Sequence, residues 1–134
     1  SYQIEALNLA PEAAHEKAAR EIAAYIARDS HRVLLSGGQG VAMCGCNTVF
    51  AEAVQVGGVY TPPALRGRGY ARRAVARHMD ELHAGGASQA VLFAASNAAA
   101  RAYSAIGFRP AGTFALVLFS EPAQVRAAPV EVRT

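Results

Sequence analysis

The spacing of apolar residues in the first half of the chain predicts one helix followed by three strands. Over 11–28 these residues recur at helical intervals with charges between them; they are Ala14, Ala18, Ile22, Tyr25 and Ile26. Two short apolar runs, 32–36 and 41–46, flank a glycine-rich turn and predict a β-hairpin. A third strand is expected over 53–61, because Pro62 and Pro63 cannot donate to a β-ladder. Within it, Gly57-Gly58 indicates a bulge or a close approach by a ligand or another backbone.

The second half alternates between helical and strand patterns. A helix is predicted from Gly69 to about His83, with an apolar stripe of Ala71, Ala74, Val75, His78, Met79 and Leu82. A short buried strand over 89–94 follows, then a helix capped by Ser96 or Asn97 that ends at Gly107, and a final strand over 108–119. The pattern contains no repeat or linker. It predicts a single α/β domain over 1–134, with an N-terminal helical region (1–31), a core (32–120) and a tail (121–134).

Composition narrows the class of protein. The chain has 134 residues, of which 52% are apolar and 17% charged, as expected for one folded domain. No apolar run approaches the roughly 18–20 residues that cross a bilayer, and no secretory signal pattern is present. Cys44 and Cys46 cannot form a disulfide framework. These features predict a cytoplasmic protein without a membrane partner.

The basic residues are concentrated in one short segment. The formal net charge is only +3, yet five of the thirteen basic residues fall within twelve positions, and no Asp or Glu occurs between Ala53 and Met79. The five are Arg66, Arg68, Arg72, Arg73 and Arg77. This block predicts either an anionic ligand held at one place or a solvated basic helix face.

The segment that contains the first of these arginines favours an anionic ligand over a solvated helix face. It places a strand, the loop Arg66-Gly67-Arg68-Gly69 and a helix start in succession, so that backbone N–H groups and the positive end of a helix can converge on phosphate. No Lys-Ser or Lys-Thr follows the glycines, as a nucleotide triphosphatase loop requires. No acidic residue stands about 20 positions later, as a dinucleotide fingerprint requires. Both of these nucleotide sites are excluded.

A different pattern fits the loop. Arg66-Gly67-Arg68-Gly69-Tyr70-Ala71 matches Arg/Gln-x-x-Gly-x-Gly/Ala and resembles the acyl-CoA-binding motif of the GNAT N-acetyltransferase superfamily. The segment 97–108 resembles the family's Asn-x-x-A-x-x-x-Tyr-x-x-x-Gly-Phe, with slightly different spacing at its start. The resemblance covers about 33–119. It implies a GNAT-like α/β (α+β) fold, with a mixed, mostly antiparallel central sheet flanked by helices.

The resemblance also implies a cofactor site for acetyl-CoA, used as co-substrate without a metal. The backbone amides expected to hold its pyrophosphate are those of Arg66, Gly67, Arg68, Gly69, Tyr70 and Ala71. The backbones of Val59 and Tyr60 would pair with the pantetheine arm. Asn97 would bind that arm or order the next loop, unless it only caps a helix. Arg72 or Arg73 would reach the ribose 3′-phosphate or simply be solvated.

For catalysis the resemblance implies direct attack of an amine on the thioester. Tyr103 would protonate the departing thiolate, its alternative being a tyrosine of the core. Glu52 is the one carboxylate near the third strand and is the candidate base, or else a solvated turn residue. Backbone N–H groups near Gly57-Gly58 would polarise the thioester carbonyl.

Other possibilities remain open from the sequence. A CoA-binding sensor would keep the loop without turnover. A nucleic-acid-binding module is disfavoured by 7% aromatic residues and a single lysine. Cys44 and Cys46 read as small core residues, and no second pair has metal-ligand spacing. Only 31 residues precede the strand at Arg32, so we expect a truncated N-terminal portion or a homodimer that completes the acceptor pocket.

Overall fold

A computed structural model describes residues 11–115. This part of the chain contains four strands and three α-helices. They are α1 (Pro11–Ala27), β1 (His31–Ser36), β2 (Gln39–Phe50), β3 (Ala53–Tyr60), a 3₁₀ turn (Pro63–Leu65), α2 (Tyr70–Ala84), β4 (Gln89–Leu92) and α3 (Asn97–Ser104).

The strands form one sheet in the order β1-β2-β3-β4. β1 pairs with β2, and β2 with β3, in antiparallel fashion. The hairpin between β1 and β2 turns at Gly37 and Gly38, whose φ angles of 58° and 78° suit glycine. β3 pairs in parallel with β4, and α2 makes the crossover that a parallel pair needs. The prediction of a mixed, mostly antiparallel sheet is confirmed.

The two faces of the sheet carry different side chains. Because side chains alternate along a strand, Cys44 of β2 faces α2, where its Sγ lies 3.6 Å from His78 Nδ1, while Gly45 faces the other way, against His31. The core therefore lies between the sheet and α2 with α3; its buried members are Ala42, Cys44, Val56, Ala74, Val75 and Tyr103. The predicted apolar stripe of α2 provides Ala74, Val75 and the buried His78.

Three sequence predictions differ from the structure. β2 continues to Phe50, beyond the predicted end at residue 46. The strand at 89–94 is shorter and not buried, because β4 is the last strand of the described sheet; Val91 is 49% exposed. Residues 108–115 form no strand: Pro110 has no N–H, Gly112 favours irregular backbone, and Phe114 instead packs its ring against Phe93. The first ten residues of the predicted N-terminal helical region, the end of the predicted last strand (116–119) and the tail (121–134) lie outside the described residues.

None of the helices in the described range is both long and apolar enough to cross a bilayer.

Candidate functional site

The site begins where two parallel strands part. The pairing of β3 with β4 ends at Val56 opposite Leu92, although β3 continues to Tyr60. Over residues 57–59 the edge of β3 that faces β4 therefore has no strand partner within the described part of the chain. An unpaired strand edge presents N–H and C=O groups that an extended ligand can bind.

A cavity of about 820 Å³ opens beside this edge. Its walls come from the end of β3, the following loop, the start of α2, and one face of α3. The lining residues include Val59, Tyr60, Arg66, Gly67, Arg68, Gly69, Tyr70 and Ala71, which are eight of the nine residues predicted to bind the cofactor. The volume lies in the upper part of the roughly 300–1,000 Å³ range of ligand sites.

The start of α2 supplies the anion-binding groups. Gly67 and Gly69 both have φ of 75°, a left-handed conformation that turns the loop sharply before the helix. Gly69 is the N-cap and provides no side chain, and the first intrahelical bond is the 3.1 Å one from Arg73 N to Gly69 O. The N–H groups of Tyr70, Ala71 and Arg72 therefore have no intrahelical acceptor and lie at the cavity. Together with the helix dipole they form a site for phosphate.

The arginines fall into two groups. Arg66 donates from Nε to Thr61 O at 3.0 Å and lies over the Tyr60 ring, which ties the loop to the end of β3. Arg68 and Arg72 line the cavity, and an Arg72 guanidinium nitrogen lies 3.6 Å from the position of a Cβ built on Gly69. Arg73 and Arg77 are exposed and outside the cavity. The block thus lies partly at the cavity and partly on a solvated helix face.

Ser96, rather than Asn97, occupies the start of α3 at the cavity. Its Oγ accepts a 3.2 Å hydrogen bond from Ala99 N and caps the helix. Asn97 is the first helical residue, is exposed, and does not line the cavity. The family pattern itself contains the signal that was missed: it places Asn seven positions before Tyr, and counting back from Tyr103 gives Ser96.

Tyr103 belongs to both the core and the cavity wall. Its side chain is 8% exposed and packs edge-to-face on Phe108, with ring centroids 6.1 Å apart. Burial, and secondarily the proximity of Cys44, raises the pKa of the Tyr103 hydroxyl above its usual value. The phenol therefore keeps its proton at neutral pH, as a proton donor must.

Glu52 lies far from this site. It occupies the exposed turn before β3, where its backbone carbonyl accepts hydrogen bonds from the N–H groups of Ser88 and Gln89. β3 runs from this turn to Tyr60, a distance of roughly 20 Å at the rise of an extended strand. The structure does not bring the Glu52 carboxylate to the cavity.

The predicted bulge in β3 is present. The register of β2 with β3 shifts between the pair Gly45–Gly57 and the pair Met43–Tyr60, which leaves an extra residue on β3. Gly58 adopts φ of 59° within this segment. The bulge re-aims the backbone at the point where β3 and β4 separate.

Two polar groups beside the site have no hydrogen-bond partner. The Oγ1 of Thr61, in the cavity wall, and Nε2 of His31, beside Gly58, are buried and unpaired within the described residues. Sequence reasoning found no partner for His31, because its contacts come from three separate segments. In the sequence, nothing indicates a functional role for Thr61 apart from its position between the third strand and the two prolines.

The cysteines are core residues, as predicted. Both are buried with free thiols, and burial raises the pKa of Cys44 to about 12, so neither is an activated nucleophile. Burial also lowers the pKa of His78, which stays neutral against Cys44 at physiological pH. The described residues contain no group of three or more metal-ligand side chains.

Known proteins share the sequence profile and the fold of this chain. A sequence profile described as the acetyltransferase (GNAT) family matches residues 2–108. A protein from Agrobacterium tumefaciens described as an acetyltransferase is 23% identical, with 88% of each chain covered and a TM-score of 0.62. No curated protein was found to match.

Two further solved structures share the fold at lower identity. Glucosamine-6-phosphate N-acetyltransferase from Arabidopsis thaliana is 18% identical, covering 79% of this chain and 76% of its own, with a TM-score of 0.56. An acetyltransferase from Clostridium acetobutylicum, solved with acetyl-CoA, is 17% identical, covering 77% and 73%, with a TM-score of 0.58.

Proposed function

The chain belongs to the acetyltransferase (GNAT) family, and from that premise we propose that it transfers an acetyl group from acetyl-CoA to an amine of a small molecule or peptide. The observation that carries the proposal is the cavity between the unpaired end of β3 and the glycine-flanked start of α2. The strand edge can form backbone hydrogen bonds with a narrow, extended part of a ligand, and the cluster of N–H donors can bind phosphate. Acetyl-CoA has both parts in one molecule.

In this proposal the loop and the strand edge hold the cofactor. The N–H groups of the segment 66–71 bind the pyrophosphate. The guanidinium of Arg72 lies at the cavity and binds a further phosphate. The backbones of Val59 and Tyr60 pair with the pantetheine arm. Support also comes from the Clostridium structure, which shares the fold and was solved with acetyl-CoA.

The chemistry proposed is direct attack. The amine nitrogen forms a bond to the thioester carbon, the C–S bond breaks, and the thiolate takes a proton from Tyr103. Backbone N–H groups at Gly57 and Gly58 polarise the carbonyl, and holding both reactants together supplies much of the rate. Ser96 takes the place expected for Asn97 at the arm. Glu52 takes no part in the chemistry because it lies at the other end of β3.

Two buried, free cysteines fit a reducing compartment. On that ground we place the activity in the cytoplasm.

One observation favours a CoA sensor as the second candidate. None of the described residues that line the cavity is an Asp, Glu or His, so the cavity wall itself holds no base for the amine. A domain that only senses CoA would need the phosphate site and no base.

Thiol release from acetyl-CoA separates the two candidates. Wild type and Tyr103→Phe would be assayed with spermidine, lysine and glucosamine 6-phosphate at neutral pH. We expect release by wild type with at least one amine. Tyr103→Phe keeps the ring in the core, so its kcat should fall about 100-fold while its KM for acetyl-CoA stays within about threefold. Binding of acetyl-CoA without release by wild type would favour the sensor. An unchanged kcat in Tyr103→Phe would remove the tyrosine from the mechanism.

A further inference from the structure

The imidazole of His31 fills a space that two glycines leave empty. His31 stands opposite Gly45 in the β1–β2 ladder, and a Cβ at Gly45 would collide with its ring. A Cβ at Gly58 would lie 2.7 Å from Nε2. The ring therefore lies flat across β2 and the bulge of β3, on the face of the sheet opposite α2. Nε2 thus lies beside Gly58, within the segment where β3 is no longer paired with β4.

The ring is also fixed in orientation. It stacks on Tyr25 of α1, with centroids 3.6 Å apart and planes within 12°. Its Nδ1 lies 2.9 Å from Ser30 Oγ. When Nδ1–H donates to that oxygen, the lone pair of the ring is on Nε2, the nitrogen that is buried without a partner.

A buried nitrogen without a hydrogen-bond partner lowers the stability of the fold. A ligand that donates a hydrogen bond to this nitrogen would restore that stability. We propose that Nε2 of His31 is the base that accepts a proton from the acceptor amine at the β3 bulge. This assignment rests on the proposed function and supplies the base that the cavity wall lacks. It places the acceptor on the α1 face of the sheet and the cofactor on the α2 and α3 side.

The proton balance closes with these two side chains. The amine enters as an ammonium ion and loses one proton to Nε2, which passes it to solvent. The free amine attacks and the C–N bond forms, and the second proton, which is acidic on the newly acylated nitrogen, is lost to water. As the C–S bond breaks, the Tyr103 hydroxyl protonates the thiolate and is restored from water. One proton is released overall, as required when an ammonium ion becomes an amide and a thioester becomes a thiol.

The surroundings keep the ring neutral. Burial lowers the pKa of His31, and the nearby His78 of α2 and Arg28 after α1 lower it further, while Glu21 of α1 opposes them. Tyr25 is the remaining titratable group in contact, and the facing positions of β2 and β3 are glycines. At pH 7 the ring can therefore accept a proton. The activity should decline as the pH falls below 6.5, the ordinary histidine value, because the lowered pKa of His31 lies beneath it.

Two nucleophiles of nearly the same size test the assignment. Methylamine is protonated at pH 7 and needs a base, whereas hydroxylamine is already neutral. With His31→Gln, we expect the rate of thiol release with methylamine to fall about 100-fold and the rate with hydroxylamine to stay within about threefold. His15→Gln, the same substitution on the exposed surface of α1, should match wild type with both. At saturating methylamine, the rate of His15→Gln should be level above pH 6.5 and decline below it, as in wild type. The rate of His31→Gln should instead fall steadily with pH over the whole range, because only the small fraction of free amine can then react.

A second variant covers the case in which His31→Gln does not fold. Ser30→Ala leaves the ring packed but removes the partner of Nδ1, and we expect about a tenfold loss with methylamine alone. Equal losses with both nucleophiles would show a structural role and overturn the assignment, as would no loss with either. Acetyl-CoA should raise the melting temperature of every variant. If wild type shows that rise but transfers to neither nucleophile, the assignment fails; if it shows no rise, the proposed function fails first.

Discussion

Two adjacent arginines at the start of α2 have different surroundings. Both are exposed, but Arg72 lies over Gly69 and lines the cavity, whereas Arg73 does not line it. Successive residues of a helix point about 100° apart, so only one of the two can face a ligand at the helix start. The sequence offered both as possible phosphate ligands, because their order along the chain does not show which one faces the loop.

This difference predicts unequal losses of affinity. Arg72→Ala should weaken CoA binding about tenfold in calorimetric titration, because a charge-assisted hydrogen bond to phosphate is lost. Arg73→Ala removes the same charge from the next residue and should stay within about twofold. Titration with dephospho-CoA identifies the contact: wild type should bind it more weakly than CoA, and Arg72→Ala should bind both alike. Equal losses in the two variants would mean that the arginines act only through net charge.

At the scale of the element, β3 connects the two halves of the site. Its bulge, with Gly58 at φ of 59°, lies against His31 on one face, and its unpaired edge opens to the cavity. Glycine is required at position 58 for two reasons: its φ angle is left-handed, and the adjacent His31 ring leaves no space for a Cβ. Gly37, in the β1–β2 turn, has nearly the same φ of 58° but nothing within 4 Å of its Cβ position.

This pair of glycines separates backbone strain from crowding. Gly37→Ala should lower the free energy of unfolding by about 1–2 kcal/mol, the strain of a left-handed alanine. Gly58→Ala adds overlap with His31 and should cost about 1–3 kcal/mol more. Urea denaturation of both variants measures the difference. Equal losses would indicate that the ring is not packed on the bulge.

Sequence patterns predicted the elements well because periodicity and glycines are local signals. The bulge at Gly57-Gly58, the cradle at 66–71 and the place of Tyr103 all follow from residues adjacent in the chain. The surroundings of His31 do not, because they combine α1, β2 and β3. Glu52 is close in sequence to the third strand, but the direction of that strand places it at the end away from the cavity.

At the scale of the whole molecule, positive charge is concentrated at one cavity. The net charge of +3 is small, but Arg66, Arg68 and Arg72 meet the N-terminus of α2 at the cavity beside β3. A field concentrated in this way favours a polyphosphate of limited length over an extended nucleic acid. The central claim is therefore that this cradle binds acetyl-CoA.

Thermal unfolding with acetyl-CoA tests that claim most directly. A ligand that binds only the folded state at about 100 times its Kd adds about 2.7 kcal/mol of stability, which should raise the melting temperature of wild type by several degrees. Gly69→Glu places a carboxylate in the cradle and should abolish the rise. Gly86→Glu adds the same charge at another left-handed glycine, after the end of α2, and should retain it. No rise in wild type at saturating acetyl-CoA, or an equal rise in Gly69→Glu, would contradict the account.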